Sequence, residues 1–325
     1  MSRICLYYRK APEPDRWIRG DHAIRTVVRR VVRGKPRMGG VDKVFHNLCL
    51  GLDQLGVEYS VNLPFRELNP EDRVGVLGRG HYSLQGYDRT NPIVAGIGLM
   101  THPSEWPTLC EDYPVKRYLQ HSEWANNVYR PYFGDRCGIW PVGIDTDSWA
   151  PSPHQGKDID LLIYDKVMWN RDVVTPPLHA IIRNFASRKK LLVEKVTYGQ
   201  YAEQDYRSIL GRSKAMIFLC EHESQGLAYQ ECMSSGVPVL AWDQGYYLDP
   251  NRFAWGQPAT AATSVPYFDE RCGERFAGPD DVENKLSVFI DKIEASAYRP
   301  RDFVLENLTL KGCAAQFLSF LNENR

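Results

Sequence analysis

The stretch from Ser213 to Gly245 restricts the fold of this chain more than any other. It contains, in order, an apolar run, a polar turn, a helical pattern and a second apolar run (215–220, 221–226, 227–235 and 237–240). Gly236 is a typical stop at the end of a helix. Neither apolar run alternates with polar residues, which is typical of parallel strands buried on both faces. The stretch therefore predicts a βαβ unit in an α/β fold.

The turn before the predicted helix can bind an anion. The first amides of a helix have no partner within it, and the helix dipole is positive at that end. We expect the amides of Ser224, Gln225, Gly226 and Leu227 to face a ligand, because Gly226 has no side chain to keep a phosphate away.

Two carboxylates flank this turn, Glu223 before it and Glu231 about two helical turns later. Carboxylates accept hydrogen bonds from sugar hydroxyls and repel anions. A nucleotide sugar needs backbone amides for its phosphates and acidic acceptors for its hydroxyls. This combination therefore indicates a site for a nucleotide sugar. The alternative is an ordinary helix cap with surface glutamates.

The string from Glu223 to Glu231, ESQGLAYQE, and the SSGVPVLA that follows it resemble a known signature. It is the E-x7-E motif of retaining GT-B glycosyltransferases of the family-4-like group, also called glycosyl transferases group 1. Gln225 stands where that family usually has Phe. The resemblance implies two Rossmann-like domains with a cleft between them and a C-terminal helix that crosses back to the first domain. It also implies that Glu223 holds the transferred sugar and Glu231 the ribose.

Gly39 and Gly40 precede a second motif of this resemblance. They are followed by apolar residues at helical spacing: Val41, Val44, Phe45, Leu48, Leu52 and Leu55. In the resembled family this element lies across the cleft from the E-x7-E turn and faces the phosphates of the donor. The resemblance thus adds Gly39 and Gly40 to the donor-binding residues.

Two cations follow the predicted strand 160–164. In the resembled family an Arg and a Lys in this loop reach the donor diphosphate, and here Lys166 and Arg171 stand there with the types exchanged. Exposed surface cations are the alternative. A helix is predicted at 177–188, and the backbone near Tyr198 and Gly199 is the candidate for contact with the base.

His102 follows the long apolar run 93–100. A side chain at the carboxyl end of a parallel strand faces the ligand crevice. In the resembled family a histidine of the first domain contacts the transferred sugar, and His102 is the candidate. His46 and His121 compete for the role, and a histidine that only caps the strand is the alternative.

The boundary between the domains is predicted near residue 150. Val142–Asp145 and Trp149–Pro151 resemble the passage between the domains of the same family. Residues 1–150 are the predicted N-terminal, acceptor-side domain. Residues 151–325 are the predicted nucleotide-sugar-binding domain with the C-terminal helices. Asp145-Thr-Asp147 has the letters of an Asp-x-Asp metal motif but lies in this passage, so no metal site is predicted.

Composition excludes some classes of function. The 325 residues suit two domains. A formal net charge of zero argues against a nucleic-acid-binding protein. The eight cysteines contain no C-x-x-C pair and indicate free thiols in a reducing cytosol. We found neither a signal-peptide pattern nor a transmembrane run, so we expect a cytoplasmic protein.

A basic segment at 19–37 contains one acid, Asp21, against seven cations: Arg19, Arg25, Arg29, Arg30, Arg33, Lys35 and Arg37. Apolar residues fall between them at helical spacing. Such a segment can dock on anionic lipids at the inner face of a membrane or on a polyanionic acceptor. A solvated helix whose valines pack on the domain is the alternative.

The predicted function is transfer of a sugar, of hexosyl type, from a nucleotide diphosphate to an acceptor hydroxyl with retention of configuration. Neither a metal nor another cofactor is expected, and the acceptor is a glycan or a lipid-linked compound of cell-surface polysaccharide or glycolipid biosynthesis. A nucleotide-sugar epimerase of the same fold is one alternative and would act without an acceptor. A non-catalytic protein that binds nucleotide sugars is the other.

Overall fold

A computed structural model describes residues 2–11, 38–152, 156–257 and 259–323. The basic segment at 19–37 lies outside the described residues, so its predicted contact with lipid stays a prediction. The described residues form two units, each with a parallel sheet and helices on its faces.

The first unit has six described strands. They are β1 (Ile4–Tyr7), β2 (Tyr59–Val61), β3 (Arg73–Val76), β4 (Ile93–Gly96), β5 (Val115–Gln120) and β6 (Cys137–Ile139). All pair in parallel, in the order β2-β1-β3-β4-β5-β6. The helices are α1 (Gly40–Gln54), α2 (Leu109–Asp112) and α3 (Glu123–Phe133). α1 covers one face through its apolar stripe, in which Val44, Leu48 and Leu52 are buried.

The second unit has five described strands. They are β7 (Ile159–Asp165), β8 (Val193–Thr197), β9 (Ser213–Leu219), β10 (Val239–Trp242) and β11 (Gly273–Phe276). They pair in parallel in the order β11-β10-β9-β7-β8. The helices are α4 (Arg171–Lys189), α5 (Glu203–Arg212), α6 (Leu227–Ser234), α7 (Pro279–Glu294), α8 (Pro300–Asn307) and α9 (Leu310–Glu323). The predicted βαβ unit is β9-α6-β10.

The last helix belongs to the first unit in space. α9 packs on α1, where a Cβ on Gly51 would lie 2.5 Å from the carbonyl oxygen of Leu310. Ala314 and Phe317 are buried with Leu48 in the core of the first unit. Because a side chain at position 51 would separate the two helices, glycine permits this close packing. The predicted return of the C-terminal helix is confirmed.

Helix α4 differs from its prediction. It begins at Arg171, whereas the sequence places its start at Pro177, a residue type favoured in the first helical turn. Pro176 and Pro177 therefore lie inside the helix, where each removes one main-chain donor. The residue before the helix, Asn170, has left-handed backbone angles, with φ of 47°. The early start places Arg171 in the first turn, next to the end of β7.

Candidate functional site

A cavity of about 570 Å³ lies between the two units. We call it the first cavity. Its walls come from the residues that follow the carboxyl ends of strands in both sheets, which is where open α/β sheets bind ligands. Every predicted site residue lines it except Arg171 and His102, namely Gly39, Gly40, Lys166, Tyr198, Gly199, Glu223, Ser224, Gln225, Gly226, Leu227 and Glu231.

The turn before α6 has the backbone geometry that an anion site needs. Gly226 is the N-terminal cap of α6 and has left-handed angles, with φ of 84°. A Cβ at this position would overlap the ring of Tyr229, so only glycine fits here. The side chain of Gln225 bonds Val142 and Gln230. Gly226 has no side chain and that of Gln225 is held by these bonds, so neither is free to cover the backbone of the turn.

The first unit contributes the start of α1 to the opposite wall. Gly39 caps this helix with extended backbone, and its amide donates to Oδ2 of Asp42 over 3.1 Å. A Cβ on Gly40 would meet no heavy atom within 4 Å, so this residue leaves open space beside the backbone. The glycine pair thus lies across the cavity from the turn before α6.

Lys166, at the end of β7, faces Glu223. Its ammonium group donates to Oε1 of Glu223 and lies 4.6 Å from the ring centre of Tyr198. Burial by itself lowers the pKa of Lys166, but the carboxylate of Glu223 outweighs burial and raises it. Lys166 is therefore a permanent cation inside the cavity.

Lys43 and Glu231 form a second ion pair, which joins the two units. Lys43 lies on α1 and also donates to Oε2 of Glu203 over 2.9 Å. Burial raises the pKa of Glu231 to about 7, and the ammonium group of Lys43 opposes that shift. The sequence prediction missed Lys43. The sequence did contain a signal for it. Lys43 follows Gly40 by three residues and Gly39 by four, and residues at this spacing share a helix face.

Arg171 does not face the cavity. Its guanidinium makes two parallel hydrogen bonds to Asp165, of 2.7 and 2.5 Å, and a third of 3.1 Å to the carbonyl of Val167. Burial by itself raises the pKa of Asp165, but hydrogen bonds from His179 and Arg171 lower it to about 2. The prediction that Arg171 reaches a diphosphate is therefore corrected: a buried carboxylate in the same unit takes the guanidinium.

His102 is buried away from the cavity. β4 ends at Gly96, so His102 does not follow the strand directly as the long apolar run indicated. Its ring stacks on Trp255 at 4.5 Å, and Nε2 lies 3.1 Å from Oε1 of Gln257. Both partners belong to the second unit, so His102 joins the two units. The prediction that it faces the ligand crevice is wrong.

His121, a competing candidate, lines the first cavity. Nδ1 bonds the carbonyl of Trp140 over 3.1 Å, and Nε2 has no hydrogen-bond partner among the described residues. Burial lowers the pKa of His121 to about 4, so the ring is neutral at neutral pH. With Nδ1 as the donor to Trp140, Nε2 is left as an acceptor.

A second cavity, of about 810 Å³, adjoins the first and shares with it the walls at Gly39, Tyr198 and Glu223. Aromatic side chains line part of it, with the ring of Trp124 5.4 Å from those of His222 and Tyr247. The side chain of Arg79, half exposed, adds a cation to the wall. This cavity combines apolar surface with a few charged groups, which is typical of sites for organic ligands.

Two kinds of feature are absent from the residues that the structure describes. None of their helices is both long and apolar enough to cross a membrane. No group of three or more His, Cys, Asp or Glu side chains among them is arranged to hold a metal ion.

Comparisons with known proteins show the fold. No protein-family model matches the chain, and the search of curated proteins gave no significant match. Among solved structures, AviGT4, a glycosyltransferase involved in avilamycin A biosynthesis, is 15% identical with a TM-score of 0.58, over 100% of this chain and 98% of that one. Sucrose-phosphate synthase from Thermosynechococcus elongatus is 12% identical with a TM-score of 0.52, over 99% of both chains.

A third similar structure is the S. aureus TarM G117R mutant in complex with fondaparinux, alpha-GlcNAc-glycerol and UDP. It is 12% identical with a TM-score of 0.56, and the alignment covers 90% of this chain and 61% of that one. At such identities the likeness concerns the arrangement of the backbone. The chain has the GT-B fold, two Rossmann-like units with a cleft between them, as the sequence predicted.

Proposed function

We propose that this protein is a glycosyltransferase that moves a sugar from a nucleotide diphosphate to an acceptor hydroxyl. One observation carries the proposal: the amide turn at Gly226, the glycine pair at Gly39, the cation Lys166 and the carboxylates Glu223 and Glu231 line one cavity. Amides and a lysine suit a diphosphate, and carboxylates suit sugar hydroxyls. The glycosyltransferase AviGT4, the TarM mutant and sucrose-phosphate synthase share the fold of this chain, and the activity of AviGT4 supports the assignment.

The chemical step is assisted by electrostatics. Cleavage of the bond at the anomeric carbon leaves negative charge on the diphosphate. The amides at the start of α6 and the ammonium group of Lys166 are oriented to accept it, and such fixed donors contribute roughly 10²–10³ in turnover each. Glu223 accepts hydrogen bonds from the transferred sugar, which frees Lys166 for the phosphate. Glu231 accepts from the ribose.

The second cavity is the proposed acceptor site, since it meets the first at Glu223, where the transferred sugar lies. His121 replaces His102 as the proposed histidine beside the sugar, because it lines the first cavity and its buried Nε2 has no partner among the described residues. The UDP and glycan ligands of the TarM mutant support a nucleotide-sugar donor and a glycan acceptor.

The finer features follow the sequence resemblance. They are retention of configuration, transfer of a hexosyl group, independence of metal, placement in the family-4-like group and a role in cell-surface glycan synthesis. The proposed contact with the inner face of the membrane rests instead on the basic segment at 19–37. Retention would be read from the anomeric proton coupling of the product, and metal independence from unchanged turnover in EDTA.

The first experiment is a thermal-shift panel of UDP, GDP, CDP and ADP. A ligand at 100 times its Kd stabilises the native state by about 2.7 kcal/mol, so the correct base should stand apart. Nucleotide sugars of that base are then incubated with and without candidate glycan acceptors. Release of the nucleoside diphosphate that depends on acceptor supports transfer, and interconversion of the sugar without acceptor supports an epimerase. Failure of all four diphosphates to bind contradicts the proposal.

A further inference from the structure

We propose that Lys43, from the first unit, is the second cation that binds the diphosphate of the donor, in the place that the sequence resemblance gives to Arg171. The inference rests on the proposed function. It assigns the charge that stabilises the leaving group to both units, with Lys166 on one wall and Lys43 on the opposite one.

Lys43 is held by α1 on the wall of the first cavity. It lies in the first turn of α1, and its backbone amide bonds the carbonyl of Gly39 over 2.9 Å. Its side chain is only 16% exposed and lines the first cavity together with Gly39, Gly40 and Lys166. Among the described residues that line this cavity, Lys43 and Lys166 are the lysines and no arginine is present. Arg171 is held by Asp165, and Arg79 lies on the wall of the second cavity, so Lys43 is the second cation on the wall of the first cavity among the described residues.

Each of the two carboxylates in the first cavity is paired with a lysine. Lys166 is paired with Glu223, and Lys43 with Glu231. Oε1 of Glu231 is in direct contact with the ammonium group of Lys43, and the side chain of Glu231 is only 5% exposed. A sugar hydroxyl that donates to this carboxylate would take the place of the ammonium group. The arrangement is that of a site in which Lys43 occupies space that a hydroxyl donor can take.

Binding of the donor would change the partners of Lys43. When ribose hydroxyls donate to Glu231, the ammonium group of Lys43 loses that partner. Lysine is a compact charge on a flexible stem with rotatable bonds, so the ammonium group can turn within the cavity. Glu203, a half-exposed carboxylate, remains one partner of Lys43, and the diphosphate, bound at the glycine pair and the turn before α6, offers a second negative charge in the same cavity. Lys43 then joins a group of the first unit to a ligand held mainly by the second, which favours closure of the cleft.

The test compares ligands with and without phosphates on the wild type, Lys43→Met and Lys43→Arg. The probes are UDP, GDP, CDP and ADP, each paired with its nucleoside, with Kd measured by calorimetry. We expect Lys43→Met to weaken the matching diphosphate at least tenfold and to change the affinity for its nucleoside less than threefold. Lys43→Arg should restore most of the diphosphate affinity, since it retains the charge.

An equal loss of affinity for the nucleoside and the diphosphate would overturn the inference, because Lys43 would then only join the units or orient Glu231. An unchanged diphosphate affinity would overturn it as well. If Lys43→Met does not fold, Lys43→Met with Glu231→Gln removes both charges of the pair and is compared with Glu231→Gln alone. The proposed function fails separately, when the wild type binds none of the four diphosphates.

Discussion

Gln225 pairs with the main chain of Val142 as a neighbouring strand would. The amide of Val142 donates to Oε1 of Gln225 over 3.0 Å, and Nε2 of Gln225 donates to the carbonyl of Val142 over 3.2 Å. Nε2 also donates to Gln230 over 2.7 Å. The turn before α6 is thereby fixed to the passage between the units. A phenylalanine, the usual residue in the resembled family, makes none of these bonds.

The Gln225→Met substitution should lower the free energy of unfolding by about 2–4 kcal/mol. It removes partners from two buried main-chain groups, each of which costs about 1–3 kcal/mol when unpaired. Urea denaturation followed by tryptophan fluorescence measures the change. Gln54→Met, at the exposed end of α1, is the matched control and should shift the curve very little. Equal curves for both variants would show that the bonds to Val142 contribute nothing.

The Arg171→Met substitution should affect stability and spare binding. Asp165 is fully buried, and removal of its guanidinium partner leaves His179 as the neighbouring side chain of this charge, at a cost of about 3 kcal/mol. The melting temperature should fall, and Asp165→Asn in the same chain should recover part of the loss. Below the melting temperature, the Kd for the matching nucleoside diphosphate should stay within about twofold of the wild type. Loss of a direct contact with the diphosphate would instead raise the Kd by about tenfold, which corresponds to about 1.4 kcal/mol. A large loss of diphosphate affinity would return Arg171 to the site.

The Lys166→Met substitution should have the opposite profile. The variant folds, while kcat falls by roughly 10²–10³, because one donor to the leaving diphosphate is lost. Steady-state kinetics with the matching nucleotide sugar and acceptor measures the effect. Lys214→Met, which removes another ion-paired lysine of the second unit, is the control and should leave kcat unchanged. Wild-type turnover in Lys166→Met would remove the phosphate role of this residue.

Glu221 is a positioning residue for the loop after β7. Its buried carboxylate accepts from the amides of Met168 and Trp169, both at 2.9 Å, and so fixes the loop that begins with Lys166. Glu221→Gln should reduce kcat by about tenfold, since small displacements of a catalytic group are costly. The affinity for the nucleoside should not change. Glu270→Gln, an exposed carboxylate of the same unit, should be neutral, and an unaltered kcat in Glu221→Gln would refute the positioning role.

Nucleoside binding should strengthen as the pH rises through about 7. Burial raises the pKa of Glu231 to about 7, so its carboxyl is protonated below that pH and ionised above it. The ionised form accepts hydrogen bonds from both ribose hydroxyls, whereas the protonated form gives up part of this capacity. Calorimetry of the matching nucleoside between pH 6 and 8, chosen because it carries no titrating phosphate, measures the slope. Glu231→Gln should be flat over this range, and a persistent slope would assign the titration to another group.

Local patterns were sufficient for the main features of the fold and for one side of the cavity. The apolar runs around Ser224, the stop at Gly236 and the glycine pair at Gly39 are properties of short segments. Backbone geometry and hydrophobic periodicity therefore predict them directly. The spacing of Glu223 and Glu231 placed two acids near the amides of α6 for the same reason.

The partners of the charged side chains could not be predicted in this way. Lys43 meets Glu231, and Arg171 meets Asp165, only after two sheets have packed and α4 has started six residues before the predicted position. His102 does not lie in the crevice because β4 ends at Gly96, several residues before it. The end of a strand is decided by pairing with its neighbours. Such contacts depend on the assembled structure, which the pattern within one segment does not encode.

The sequence by itself determined a βαβ unit and an amide-rich turn with two acids, because main-chain conformation follows local residue order, and the two Rossmann-like units followed from the family resemblance of that same stretch. The tertiary structure decided which cations face the cavity. Charges in a buried space bind the nearest opposite charge, and distance in space is set by the packing of both units together.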